Sequence, residues 1–221
     1  MPDPAGPELE ALAVDAVVAL TPERRLEERL AALGLPALLW RPGPAAGPAG
    51  AAQRLVLSAG DQPEAWRCVG LPVADRRFAA GEPELPERAA WLGPPTPRRA
   101  SYLDWFEHTH EPAADGTDAL VAVNVHDGDE PAFEQRAAAA LAAGRLLVSE
   151  TLVPSRGLEP GIDYLAARDL DDLYLAVESA VLHPHAFRRV RLRGRRKAEL
   201  FRASQVVARL VHDLLLEVRS P

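Results

Sequence analysis

The sequence contains a single cysteine, Cys68, which excludes an intrachain disulfide and a zinc site built from several cysteines. It also has no uninterrupted apolar run of the roughly 18 residues that a membrane span requires. The first twenty residues, MPDPAGPELEALAVDAVVAL, lack a basic leader and place acidic residues where a signal peptide is apolar. These three absences predict a soluble, cytoplasmic protein without a membrane span.

Lysine is almost missing as well, since Lys197 is the only lysine and the other 24 of the 25 basic residues are arginine. The 221 residues have a formal net charge of −7, which argues against a general nucleic-acid binder. The basic run 188–197 is the local exception. Its apolar residues follow a helical spacing, which favours a solvated or phosphate-facing helix flank. Attraction to an anionic membrane surface and, more weakly, a nucleic-acid module stay open as alternatives.

Strand-like and helix-like segments alternate along the chain, and this pattern predicts an α/β protein with a Rossmann-like parallel sheet. A stretch rich in proline and charge, residues 79–88, predicts a boundary between a reduced N-terminal α/β half (1–86) and a more regular second half (87–221). The predicted strands are 14–20, 35–40, 54–58, 66–73, 89–92, 119–125, 146–148 and 163–165. One helix is predicted to begin at Thr21. The other predicted helices span 98–108, 129–143, 169–182, 185–201 and 204–218.

The stretch DEPAFEQRAAAALAAGRLLVSE, residues 129–150, predicts a helix followed by a short buried strand. Asp129 or Glu130 is the expected cap of the helix, and Pro131 suits its first turn. Gly144 is the expected end of the helix, before the apolar run of the strand. Several acidic residues are therefore expected at the mouth of one helix.

In a parallel sheet, ligands bind where loops leave the carboxyl ends of the strands. That edge is expected to gather Asn124, His126, Asp127, Asp129, Glu130, Glu134, Ser149 and Glu150. The acidic side chains suit hydroxyl donors such as the oxygens of a sugar. Taken alone, each of them favours a plain helix cap over a site, so the hypothesis of a site depends on their convergence.

Arginines of the neighbouring loops are the expected partners of phosphate oxygens. Arg98 and Arg99 follow the predicted strand 89–92, and Arg156 follows Glu150, beside Ser155 and the backbone near Gly157. Hydroxyl-binding acids on one side and phosphate-binding arginines on the other predict a nucleotide-sugar site.

The segment AALAAGRLLVSE resembles the signature of the C-terminal half of GT-B glycosyltransferases, especially the CgeB-like and group 1 types. The segments WLGPPTPRRASYL, NVHDGDEPAFEQR and PSRGLEPGIDYL resemble the neighbouring parts of that half. The resemblance covers residues 89–218. It implies a Rossmann-like half that binds a nucleotide-sugar donor and transfers the sugar to an acceptor, which the sequence does not identify.

The resemblance places Gly93 in the glycine loop, Glu134 at the acidic helix entrance, Glu150 after the signature strand, and Ser155 to Gly157 near the diphosphate. The family's usual second glutamate is Ala139 here, and since alanine cannot bind a ribose hydroxyl we expect donor binding to be weaker or differently arranged. The candidate substrate-binding residues are Gly93, Arg98, His126, Glu130, Glu134, Glu150, Ser155, Arg156 and Gly157. No catalytic residue is assigned, and no metal or cofactor is required.

Two functions remain open at this point. The first is transfer of a sugar from a nucleotide-sugar, and the second is a catalytically inactive relative that binds the donor or assists a partner enzyme. The apolar face of the predicted helix 204–218 needs a partner surface, either in this chain, in a second copy or in another protein. The segment FEHTHE, residues 106–111, has a composition that could bind zinc, but we favour an exposed helix end.

Overall fold

A computed structural model describes residues 72–110 and 118–219 of the protein, together with four strands that precede them. Side chains are described from residue 72 onward, except at residue 214 and after residue 216. The predicted helix that begins at Thr21 lies outside the described residues.

Contacts within the chain define two units, one of residues 1–71 with 204–221 and one of residues 72–203. The predicted boundary between residues 86 and 87 stays a prediction of how the chain is organised into domains.

The first unit contains a parallel sheet of four strands in the order β1-β2-β3-β4. Its strands are β1 (Val17–Leu20), β2 (Ala37–Arg41), β3 (Arg54–Ser58) and β4 (Arg67–Cys68). The predicted strand 66–73 was wrong in length. Pro72 has no backbone N–H to donate to a sheet, and Val73 instead forms a single bridge to Arg202.

The second unit contains the other parallel sheet, in the order β5-β6-β7-β8. Its strands are β5 (Ala89–Trp91), β6 (Val121–Asn124), β7 (Leu146–Glu150) and β8 (Leu165–Ala167). The α/β class and the parallel sheet are therefore confirmed. The predicted strand 163–165 is shifted, because the buried carboxylate of Asp163 accepts a hydrogen bond from the backbone N–H of Glu159 at 3.0 Å and forms a turn.

Helices flank the second sheet on both faces. They are α1 (Ala100–Thr109), α2 (Gln135–Ala142), α3 (Leu170–Leu182) and α4 (Arg188–Lys197). The last helix, α5 (Ala203–Arg219), lies almost wholly in the first unit. The predicted helix 185–201 is three segments, since 3-10 turns at Pro184–Phe187 and Ala198–Phe201 flank α4.

Alternation along the strands divides the core into two apolar clusters. Ala122 and Leu147 belong to the cluster that contains the alanines of α2. Val121 and Val123 belong to the cluster that contains Phe106 of α1 and part of α3. Because successive side chains of a strand point to opposite faces, the sheet is buried on both faces, as expected for a parallel sheet.

The start of α2 corrects the sequence-based prediction. The helix begins at Gln135 rather than near Asp129, and Glu134 is its N-cap residue. Phe133 packs against Phe201 of the core with ring centroids 5.2 Å apart. This contact draws the chain before the helix into an extended connection, so Pro131 precedes the helix instead of opening it.

Candidate functional site

The carboxyl ends of β5, β6 and β7 meet at one edge of the second sheet, as predicted. Gly93 follows β5, Asn124 is the last residue of β6, and Glu150 is the last residue of β7. We call this edge the rim.

A bidentate ion pair closes part of the rim. Arg98 donates from Nη1 and Nη2 to the two carboxylate oxygens of Glu150 at 2.9 and 2.7 Å. The backbone N–H of His126 also donates to Glu150, at 2.7 Å. The carboxylate of Glu150 is thus bound by three of the protein's own donors, and the residue is only 8% exposed.

The ring of His126 lies between two acceptors. Its Nδ1 is 2.9 Å from Oε1 of Glu134, and its Nε2 is 3.0 Å from the carbonyl oxygen of Thr151. A carbonyl and a carboxylate can only accept, so the contacts favour an imidazolium that donates from both nitrogens. His126 therefore connects the end of β6 to both α2 and the loop after β7.

Arg136, in the first turn of α2, joins the same network. It donates to Oδ1 of Asn124 at 2.7 Å, to Asp127 at 2.8 Å and to Glu134 at 3.1 Å. Nδ2 of Asn124 donates to Glu134 as well, at 3.1 Å. The carboxylate of Glu134 is thus directed at the rim rather than at the N-terminus of its own helix, which explains why it makes no side-chain cap.

These contacts shift the titration of the network. Burial opposes ionisation of Glu134, but hydrogen bonds from His126 and Asn124 outweigh it and lower the pKa of Glu134. Burial likewise opposes ionisation of Glu150, and the hydrogen bond from Arg98 outweighs it and lowers the pKa of Glu150. Burial disfavours the charged form of His126, yet its hydrogen bond to Glu134 raises the pKa of His126. The network is therefore built for ionised groups.

We predict that the stability contributed by His126 depends on pH. A histidine whose pKa is raised by folding stabilises the protein below its ordinary pKa of about 6.5, and this contribution is lost as pH rises through the folded value. The advantage of the parent protein over His126→Gln in the free energy of unfolding should be largest near pH 6 and should shrink toward pH 9. Urea unfolding across this range measures it, and a difference that does not change with pH would contradict the assignment.

The lowered pKa values of the two carboxylates have the opposite consequence. Their contribution is present above the ordinary glutamate value and is lost as pH falls through the lowered folded values. Urea unfolding of the parent protein below pH 4 should therefore show a loss of unfolding free energy as the two carboxylates become protonated.

Arg99 corrects the prediction that it binds phosphate. Its side chain is fully buried, and it donates to the carbonyl oxygens of Val125 at 2.8 Å and Pro94 at 2.6 Å. Its guanidinium also contacts Asp127 at 2.9 Å. Burial lowers the pKa of Arg99, and the group supports the loop between β5 and α1 from inside.

Gly93 is needed where it is for two reasons. Its backbone has a φ of 82°, in the left-handed region that side chains disfavour. A Cβ at this position would lie 2.9 Å from Nη1 of Arg136 and 3.1 Å from Nη1 of Arg99. The missing side chain therefore leaves room for two guanidinium groups beside the loop.

The other predicted site residues lie apart from this network. Glu130 is exposed in the connection that precedes α2. Ser155, Arg156 and Gly157 lie in the loop after β7, where Lys197 of α4 donates to the carbonyl oxygen of Gly157 at 2.8 Å. Thus the structure brings together five of the nine predicted residues: Gly93, Arg98, His126, Glu134 and Glu150.

A solvent-open cleft of about 570 Å³ begins at Gly93 and extends along β5 and α2. Its lining residues are Pro72, Val73, Ala74, Arg76, Arg77, Trp91, Leu92, Gly93, Gln135, Arg136, Ala139, Ala140, Ala143 and Arg145. Four of these described residues are arginines and none is acidic. The cleft is of the size of small-molecule sites and offers cationic and amide donors beside an indole ring.

Sequence reasoning missed most of the cleft. Arg76 and Arg77 lie in a short 3-10 turn, Asp75–Arg77, before the predicted boundary, where no motif marks them. Arg136 could have been found, because its place in the first turn of α2 directs it toward the same edge as Glu134. Arg145 was also missed. It is buried against backbone carbonyls, and burial lowers its pKa to about 10, so it stays charged at neutral pH.

The described residues show no arrangement for a resident metal. Within them, no three His, Cys, Asp or Glu side chains come together as a metal site would need. The two histidines of the FEHTHE segment have different neighbours, since His108 contacts Asp104 and His110 contacts Glu178. In the same part of the chain, every helix is too short or too polar to cross a bilayer.

Comparisons by sequence find no relative of the chain. No protein-family model matches it, and no curated protein is significantly similar to it in sequence.

Two solved structures share the fold. A glycosyltransferase from Rickettsia africae ESF-5 aligns with a TM-score of 0.64 and 9% identity, over 96% of this chain and 79% of that one. The sucrose-phosphate synthase of Thermosynechococcus elongatus aligns with a TM-score of 0.54 and 12% identity, over 95% of this chain and 77% of that one. The protein therefore has a glycosyltransferase fold, in agreement with the resemblance seen in the sequence.

Proposed function

We propose that the protein binds a nucleotide-sugar in the cleft beside Gly93 and transfers its sugar to an acceptor. The observation behind this proposal is the lining of the cleft, in which Arg76, Arg77, Arg136 and Arg145 are combined with no acidic residue. A diphosphate is the part of the donor that such a lining would hold, because arginine binds phosphate oxygens through charged hydrogen bonds.

The exposed positions of the cleft are suited to direct contact with the ligand. Arg76 and Arg77 are exposed, whereas Arg145 is held by the carbonyl oxygen of Ala119 at 2.8 Å. Arg76, Arg77 and Arg136 would therefore bind the diphosphate directly, and Arg145 would contribute only its positive charge. Trp91 lines the same cleft and offers an aromatic surface for a nucleobase.

The network of the rim would have a positioning role in this arrangement. Glu134, Asp127 and Asn124 each accept a hydrogen bond from the guanidinium of Arg136 and so fix its orientation. Arg98 and Glu150 join the loop after β5 to the end of β7. The contacts of Glu130, Ser155, Arg156 and Gly157 with the donor stay predictions.

A second candidate function is donor binding without sugar transfer. Ala139 lines the cleft, and an alanine offers no acceptor for a ribose hydroxyl. The two rim glutamates are occupied by Arg98, His126 and Arg136, so neither presents a free carboxylate at the rim. A binding or assembly partner of a complete enzyme fits these features.

Calorimetric titration with uridine and guanosine diphosphate sugars tests the proposal. We expect saturable binding of at least one donor, and about 30-fold weaker binding by an Arg76→Ala/Arg77→Ala double variant, since each lost contact to phosphate is worth about 1 kcal/mol at an exposed site. Arg88→Ala/Arg168→Ala is the control, because it removes two solvent-accessible arginines that do not line the cleft.

The same samples distinguish the two functions. Donor hydrolysis or transfer by the parent protein supports an enzyme, and binding without turnover supports the non-catalytic alternative. No binding of either donor class, or equal loss in the two double variants, would contradict a donor site in this cleft.

A further inference from the structure

Helix α4 and its flanks concentrate positive charge in one segment of the chain. Residues 182–202 contain eight basic residues and one acidic residue, a formal charge of +7, whereas the rest of the chain has 17 basic and 31 acidic residues, a formal charge of −14. The segment thus has the opposite sign to the rest of the molecule. Such a contrast favours one oriented approach to an anionic partner.

Three arginines of α4 point to the same side. Arg189, Arg193 and Arg196 follow one another at helical spacings of four and three residues, and all three are exposed. Together with His185 and Leu192 they line a shallow, open depression. We call these five residues the basic strip.

The other basic residues of α4 form ion pairs or hydrogen bonds within the protein. Arg188 and Arg191 pair with Glu82, and Arg195 pairs with Glu199. Arg193 of the strip is 3.5 Å from the buried carboxylate of Asp163. Arg189 and Arg196, by contrast, make no ion pair with another described residue, so their charge is available to a partner.

Exposed leucines flank the basic strip. Leu182 precedes it at the end of α3 and is 68% exposed, and Leu200 follows it and is 51% exposed. Two large apolar side chains that are exposed to water on either side of a cationic strip do not stabilise a helix face that stays in water. At a bilayer they would enter the boundary between headgroups and acyl chains while the arginines bind lipid phosphates.

The strip is better suited to a membrane than to a nucleic acid. α4 is about 15 Å long, which is enough for a planar lipid surface to meet all of it at once. No Phe, Tyr or Trp belongs to the strip, which therefore lacks the large aromatic rings on which bases stack.

We propose that the basic strip, with Leu182 and Leu200, docks the protein on membranes that contain anionic phospholipids. The surface acts as a peripheral contact and does not insert a helix across the bilayer. It is independent of the cleft, since no residue of the strip lines the cleft.

Sedimentation with lipid vesicles tests this docking. The 221-residue protein should bind vesicles of phosphatidylcholine with about 30% phosphatidylglycerol, should not bind pure phosphatidylcholine, and should be released by about 0.5 M salt. An Arg189→Glu/Arg196→Glu variant should partition at least about 30-fold less, since each basic residue near an anionic surface is worth about fivefold and the substitution also reverses the charge. These two sites are chosen because they leave the Arg193–Asp163 contact intact.

Two further variants measure the contributions of charge and of apolar contact separately. Arg189→Lys/Arg196→Lys keeps the charge and should bind anionic vesicles within about threefold of the parent protein. Leu182→Ser/Leu200→Ser keeps every charge and should weaken vesicle binding severalfold. Unchanged circular dichroism and thermal midpoints confirm that the variants are folded.

Three results would overturn the proposal. They are no binding to anionic vesicles, equal binding by the Arg189→Glu/Arg196→Glu variant, and tighter binding to DNA or RNA of matched phosphate concentration. The last of these would assign the strip to a nucleic acid instead. Because vesicle binding uses no sugar donor, its failure would leave the proposed function of the cleft unaffected, and the reverse also holds.

Discussion

An Arg98→Met variant is expected to lose about 3 kcal/mol of unfolding free energy, because the substitution removes the charged partner of a buried carboxylate. Glu150 would be left with its charge in a site that is only 8% exposed, supported by the backbone N–H of His126 alone. Methionine preserves most of the volume of the arginine stem, so lost packing contributes little. Urea unfolding at pH 7 measures the change.

A double-mutant cycle identifies the cause. Glu150→Gln removes the charge and keeps an acceptor for the backbone N–H of His126, so the Arg98→Met/Glu150→Gln double variant should be more stable than Arg98→Met alone. A double variant as unstable as the sum of the two single variants would show that the ion pair is not what stabilises the rim.

A Gly194→Ala variant is expected to lose about 3 kcal/mol as well, for a steric reason. A Cβ at this position would lie 2.3 Å from the backbone carbonyl oxygen of Asp163 and 2.7 Å from Cδ2 of Leu141. The backbone oxygen cannot rotate away as a side chain would, so α4 must shift from the sheet. Thermal unfolding followed by circular dichroism measures the loss.

Gly128→Ala is the matched control for this substitution. Nothing lies within 4 Å of a Cβ at Gly128, so the change should alter the unfolding free energy by less than about 0.5 kcal/mol. A Gly194→Ala variant as stable as this control would show that α4 does not pack on the turn at Asp163 as described.

Much of the second sheet could be predicted from the sequence because its local signals agree. The strand 146–148 is an apolar run between Gly144 and the polar residues that follow, which predicts a short buried strand, and the structure places it between β6 and β8. The helix 169–182 was placed correctly because Asp169 caps it, accepting a hydrogen bond from the backbone N–H of Asp172 at 2.9 Å.

The start of α2 could not be predicted, because its cause is distant in the sequence. Asp129, Glu130 and Pro131 have the composition of a helix start, yet the packing of Phe133 on Phe201 decides where the helix begins. Propensity rules see only neighbouring residues, and a contact between residues 133 and 201 is invisible to them.

The candidate site was predictable in position but not in the roles of its residues. The rule that ligands bind at the carboxyl ends of parallel strands places Gly93, His126 and Glu150 at one edge, as observed. The rule says nothing of whether these side chains face solvent or one another. Arg99 was expected to bind phosphate and is instead buried, because two arginines in succession point in different directions from the turn that contains them.

The central claim is that the cleft beside Gly93 holds the diphosphate of a nucleotide-sugar, and a crystal structure of the protein with a uridine or guanosine diphosphate sugar tests it most directly. We expect the phosphate oxygens within about 3 Å of the guanidinium groups of Arg136 and of Arg76 or Arg77. A diphosphate bound instead by Ser155, Arg156 and the backbone of Gly157, with the cleft empty, would contradict the claim.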